Sequence, residues 1–277
     1  MYQAYWGLGQ SPFRGSLDPR FFYQSPAQEE ALARLHFLAD DRRTLGLLLG
    51  ESGSGKTTLL EAFARELGRG QRQRALFSLI GLSAHEFLWQ CSAALGVEAP
   101  PQASQFTLTR ALVDHIAANR YQQIPTVLLL DDTDLAGVEV LDQVVRLAQL
   151  DTAGQSPLTI VLSAQPQRLH AIGTRLLELA DLRIDLEAWE SDDTTAFVRQ
   201  SLALAGRTAP LFTDAALSRL HLLADGIPRR VKQLADLALL AGAGGNLAQI
   251  EPDTLEAVYH ELAVVSAAPA QVELLRR

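Results

Sequence analysis

The sequence predicts a three-layer α/β domain on a five-stranded parallel sheet, followed by a small helical lid domain. Two observations carry the first part. Five near-continuous apolar runs, TLGLLLG (44–50), ALFSLIG (75–81), TVLLLD (126–131), LTIVLSA (158–164) and LRIDLEA (182–188), lack the alternation of a half-exposed strand and read as strands buried on both faces. Helical spacing separates most of them, at 58–68, 83–95, 106–119, 138–150 and 168–180, which supplies crossovers and covers both faces of a parallel sheet. The third observation concerns the remainder. After Trp189 the strands stop, and SDDTTAFVRQSLALAG, TDAALSRLHLLADG, IPRRVKQLADLALLAG and PDTLEAVYHELA read as four consecutive helices. The expected division is 1–190 for the sheet domain, 191–264 for the lid and 265–277 for a loosely held tail.

The elements have local causes. Ser25, Pro26 and Gln28 form a helix start, with serine as cap and proline in the first turn, and the helix should run to about Asp40. The run ending at Gly50 passes through a glycine-rich turn into TLLEAFARELG, giving strand, loop and helix in succession. VEAPPQAS (97–104) is a proline-bearing connection.

Composition excludes several classes. The 277 residues are 48% hydrophobic, enough for one full core and a second smaller one. Cys91 is the single cysteine, so no intrachain disulfide exists and a reducing, cytoplasmic setting is expected. No stretch approaches the roughly 18 apolar residues of a membrane span, and no direct membrane insertion is expected. The net charge is −8, with 16 basic against 22 acidic residues over 1–190 and 8 against 10 beyond, so neither part is a general polyanion binder. Only Lys56 and Lys232 among the 24 basic residues are lysines. The six histidines show no metal-ligand spacing and read as structural.

GESGSGKTT (50–58) sits between a predicted strand and a predicted helix, in the pattern of glycine, four residues, glycine, lysine, then serine or threonine. The loop comprises Gly50, Glu51, Ser52, Gly53, Ser54, Gly55, Lys56, Thr57 and Thr58. Its glycines let the backbone wrap a phosphate with amides inward, and the helix that follows aims its positive end at the same group. Lys56 then places a charge at the β and γ phosphates of ATP, and the Thr57 hydroxyl becomes a ligand of Mg2+. Downstream, Asp131 ends an apolar strand where such proteins hold their magnesium. Asp132 takes the place of the residue that polarises the attacking water, with Asp134 the next candidate.

YWGLGQSPFRGSLDPRFFYQSPAQEEALARL before the loop, SAQPQRL, LRIDL and GIPRRVKQLADLALL resemble the AAA+ ATPases of ExeA-type general secretion pathway proteins, over about residues 4–262. Transposition helper and origin-recognition ATPases are related to these. The resemblance implies a P-loop AAA+ fold, ATP hydrolysis, assembly into homo-oligomers with nucleotide at subunit interfaces, and action on a protein partner. It implies that Gln165 is the polar sensor beside the γ phosphate, that Arg183 completes a neighbouring subunit's site in trans, and that Arg229 senses nucleotide in cis. Gln165 as a turn cap, Arg168 or Arg175 as the trans residue, and Arg230 as the sensor are the alternatives. Pro12 and Phe13 line the adenine pocket by family position, or pack as an apolar arm. The family has glutamate at the Asp132 position, which predicts slow turnover here, and ExeA-type proteins commonly continue into a membrane span and a cell-wall-binding segment that residues 1–277 lack. RGQRQR (69–74) is the local basic patch, so a DNA-associated regulator is one alternative, disfavoured by the net charge, and an inert nucleotide-binding scaffold is another.

Overall fold

The computed structural model describes residues 2–13, 23–68, 72–100, 102–150 and 158–262; the expected tail at 265–277 and residues 69–71 of the basic patch lie outside them. The chain divides into two compact units, Pro26–Glu187 and a second that joins the described residues of Met1–Ser25 to those from Ala188 onward.

The first helix, α1 (Tyr2–Trp6), belongs to the second unit. The sheet unit runs α2 (Pro26–Asp40), β1 (Leu45–Gly50), α3 (Lys56–Leu67), β2 (Gln73–Ser78), α4 (Ala84–Ala94), α5 (Gln105–Tyr121), β3 (Thr126–Asp131), α6 (Val138–Ala148), β4 (Leu158–Ala164), α7 (Leu169–Ile172), α8 (Thr174–Glu178) and β5 (Leu182–Leu186). All pairings are parallel, in the order β2-β3-β4-β1-β5. Side chains alternate between two cores. Leu128, Leu130, Ile160 and Leu162 pack against α4, α5 and α6 through Phe87, Leu112 and Val144. Val127, Leu129, Val161 and Ile184 pack against α2 and α3 through Leu35, Leu38, Leu59 and Phe63. This two-sided burial accounts for the unbroken apolar runs. Cys91 is fully buried in the first core, and burial pushes its thiol well above the usual range, so it stays protonated and inert.

Two elements depart from the sequence expectation. The helix expected over 168–180 splits into α7 and α8, because Gly173 adopts φ 85° and ψ 147° between them, a conformation that ends the helical hydrogen-bond ladder. The strand expected over 75–81 is shifted to Gln73–Ser78. Its start is anchored by Gln73, whose Oε1 accepts from Asn119 Nδ2 at 2.8 Å, and the chain turns away at Gly81, φ 71°.

In the second unit α9 (Ser191–Leu204), α10 (Asp214–Ala224), α11 (Pro228–Gly244) and α12 (252–262) form the expected helices. Phe197 lies at its centre, 4.9 Å from the Trp189 ring and 6.0 Å from that of Phe13. The expectation that residues 1–25 belong with the sheet is corrected by this packing. Trp6, Leu8 and Phe13 are buried among the helices, Trp6 Nε1 donates to the Leu239 carbonyl at 2.8 Å, and Arg207 Nη1 donates to the Trp6 carbonyl at 2.7 Å. An aromatic-rich arm buries more area there than a polar loop could, so it docks. Phe13 therefore packs as an apolar arm. Lys232 sits 5.6 Å from the Phe197 ring centroid, and desolvation there lowers its pKa.

The turn from α10 to α11 depends on Gly226. Its φ is 63°, and a Cβ added there would lie 2.2 Å from the Trp189 carbonyl oxygen. Gly226→Ala should destabilise the helical unit by roughly 2–4 kcal/mol, from left-handed strain plus overpacking. Urea unfolding followed by tryptophan fluorescence measures this; an unchanged midpoint would show that the turn relaxes freely.

Candidate nucleotide site

Ligands of open parallel α/β sheets bind beyond the carboxyl ends of the strands. At that end of β1 the loop turns through Gly53 (φ 87°) and Gly55 (φ 103°) into α3, whose first turn has no side-chain cap. The amides of that turn are thus left to an external anion. Gly50 must be glycine for packing: a Cβ would lie 2.5 Å from Ser54 Oγ and 3.1 Å from the Leu186 carbonyl oxygen. Ser54 Oγ is buried and has no hydrogen-bond partner among the described residues. Lys56 Nζ donates to the carbonyls of Gly50 at 2.8 Å and Glu51 at 3.0 Å, which folds the ammonium over the loop.

The loop meets the end of β3. Thr57 Oγ1 donates to Asp131 Oδ2 at 2.5 Å, and Asp131 is 4% exposed. Ser163, in β4, donates to the other oxygen, Oδ1. The Asp132 amide donates to Asp131 Oδ1 at 3.1 Å and to Ser163 Oγ at 3.1 Å. Asp132 itself is left-handed, φ 53° and ψ 40°, a conformation that aspartate tolerates better than most residues. Its Oδ2 accepts from Ser78 Oγ at 2.9 Å, and Ser78 Oγ also accepts from the Ile80 amide at 3.3 Å.

SAQPQ carries two glutamines, at 165 and 167. Gln165 follows β4 and makes no side-chain cap, whereas Gln167 Nε2 donates to the Glu51 carboxylate in the loop. The sequence reading missed Gln167, although the motif contains both. Ser163 was missed as well, and its signal was a hydroxyl inside an otherwise apolar run. Asp134 is buried, with Oδ2 lacking a hydrogen-bond partner among the described residues and 3.9 Å from Arg168 Nη1, so its carboxylate is turned inward.

The arginines are scattered. Arg183 pairs with Leu47, three residues before the end of β1, on the exposed edge strand, where Asp185 holds it through a bidentate pair at 2.8–3.1 Å. That pairing raises its pKa. Arg175 donates to Gln149 at 3.1 Å. Arg230 is paired with Asp225 at 2.5 Å, while Arg229, on the same first turn of α11, is exposed. In the basic patch, Arg72 is paired with Asp40.

A magnesium ion fits the donor set that the structure brings together, since Thr57 and Asp131 offer hard oxygens only and such ions take one or two protein ligands plus phosphates. Among the described residues no group of three or more His, Cys, Asp or Glu could hold a metal without that help. No described helix is long and apolar enough to cross a membrane.

Comparison with known proteins agrees with this geometry. Residues 39–172 match the family model described as an AAA domain. Over 264 residues, 94% of this chain, there is 31% identity to General secretion pathway protein A of Aeromonas hydrophila. The chain spans about half of that relative, 48% of its length. Among solved structures, the ORC2 protein of Aeropyrum pernix in ADPNP-ADP complexes has a TM-score of 0.66 at 15% identity, covering 91% of this chain and 71% of that one. Cdc6p of Pyrobaculum aerophilum has a TM-score of 0.66 at 16% identity, covering 89% and 71%. The RuvB Holliday junction branch migration motor of Thermotoga maritima has 0.56 at 18%, covering 91% and 74%. With an AAA domain matched over the loop and both acidic residues, and the five-stranded parallel sheet of these structures, the chain carries an AAA domain on a P-loop AAA+ fold.

Proposed function

We propose that this protein is a slow, switch-like ATPase that binds MgATP at the loop and couples nucleotide state to assembly and to action on a protein partner. The observation that carries the reading is the Thr57 to Asp131 hydrogen bond at 2.5 Å, which sets two magnesium-type ligands at the mouth of a glycine-rich loop and an uncapped helix. Bound magnesium neutralises charge on the β and γ phosphates. Lys56 leaves its carbonyl partners to bind the same phosphates, and the α3 amides donate to their oxygens. Asp132 orients the attacking water. Two features make it a poor base: its side chain is one methylene shorter than glutamate, about 1.5 Å, and Ser78 ties the carboxylate toward β2. Misplacement of about 1 Å at a reacting centre costs on the order of a hundredfold in rate.

Support for the remaining roles is positional. Gln167, which already donates to Glu51 of the loop, takes the polar-sensor role in this reading, with Gln165 the alternative. Arg229 is the better sensor arginine because Asp225 occupies Arg230. Arg183, exposed on the edge strand, is available to a neighbouring copy only after release from Asp185. A protein partner is favoured over nucleic acid because the charge is −8 and Arg72 of the basic patch is already paired.

Lys56→Ala should weaken binding of a fluorescent ATP analogue at least tenfold while leaving the circular dichroism spectrum unchanged; equal affinities would remove the loop from the mechanism. A second measurement addresses Asp132. Steady-state phosphate release at saturating MgATP should rise several-fold in Asp132→Glu and nearly vanish in Asp132→Asn, with little change in affinity. Rates that do not respond to either substitution would take Asp132 out of the chemistry.

A further inference from the structure

We propose that Ser163 is a positioning residue, a buried hydroxyl that presents Asp131 to the metal position and holds the backbone of Asp132. This rests on reading the loop as an MgATP site. Ser163 is fully buried near the end of β4, between β3 and β1, and by strand alternation it shares a face with Val161 and Asp131. Its neighbour Leu162 pairs with Leu130, which puts Ser163 level with Asp131. Packing alone favours an apolar side chain there, since a buried hydroxyl costs free energy unless it is hydrogen-bonded. Its bonds go to the two acidic residues.

The directions of these bonds are informative. A serine hydroxyl has one proton to donate and lone pairs to accept with. The proton goes to Asp131 Oδ1, and the Asp132 amide donates to the oxygen at 3.1 Å. A carboxylate at a strand end is otherwise soft about its last torsion. With Oδ1 held, Oδ2 is the oxygen turned to Thr57, at 2.5 Å. The same hydroxyl accepts from the amide of Asp132, whose backbone is left-handed at φ 53°. One atom thus sets the orientation of the metal-binding carboxylate and the backbone from which the water-orienting residue departs. Partners of this kind behind metal ligands are worth about 10–100-fold in metal affinity.

The test uses the full chain and a fluorescent ATP analogue, titrated with magnesium and, separately, in EDTA. Ser163→Ala should raise the magnesium midpoint about tenfold and leave analogue affinity in EDTA unchanged. Ser163→Cys, which is slightly larger and offers a weak donor, should give a smaller shift and reads the same quantity should the alanine variant not fold. Midpoints equal to wild type, or equal losses with magnesium and with EDTA, would overturn the proposal and leave the MgATP reading standing. Absence of magnesium-dependent binding in the wild type would overturn both.

Discussion

The hydrogen bond from Thr57, in the first turn of α3, to Asp131, at the end of β3, ties together segments whose strands are not neighbours. β4 lies between β1 and β3, so the ends of those two strands are about two strand spacings, roughly 10 Å, apart, and Thr57 reaches across to Asp131. The rest of the sheet unit serves this spacing. Two apolar cores hold the strands in register from both faces, and α3 leaves the loop on the face it shares with Asp131 and Ser163. The strand that creates the gap also supplies Ser163 to its floor.

The polar atoms at the strand ends form a connected set. Asp131 is fully engaged by Thr57, Ser163 and the Asp132 amide, which is how a carboxylate only 4% exposed can stay in place. Asp132 is held from the other side by Ser78, which also takes the amide of Ile80, an apolar residue 56% exposed at the head of β2. Two serines, from the strands on either side of β3, therefore grip the two aspartates. Ser54 Oγ, buried and without a hydrogen-bond partner among the described residues, is the exception in the loop.

The helical unit solves a different problem. Four short helices have little core of their own, and small domains bury too little area for comfort. The amino-terminal arm adds Trp6, Leu8 and Phe13 to that core, tied by Trp6 to Leu239 and by Arg207 back to Trp6. Arg229 and Arg230 stand on the first turn of α11, which Gly226 and Pro228 orient; both are exposed, and Arg230 is ion-paired with Asp225.

The sequence alone determined what depends on local pattern. β3 and β4 begin and end where their apolar runs do, and the loop follows β1 as its glycine spacing requires. Lys56, Thr57 and Asp131 were legible as candidates because the chemistry proposed for them demands those residue types at those positions. Tertiary structure decided what depends on which distant segments meet. The strand order, the docking of residues 2–13 on the helices, and Ser163 level with Asp131 rest on pairing between segments far apart in the chain. Periodicity records only which face a residue occupies, so the reach of Gln167 to the Glu51 carboxylate is not written in it. A strand's burial is written in its own residues, but its neighbours are chosen by the lowest free energy of the whole packed sheet.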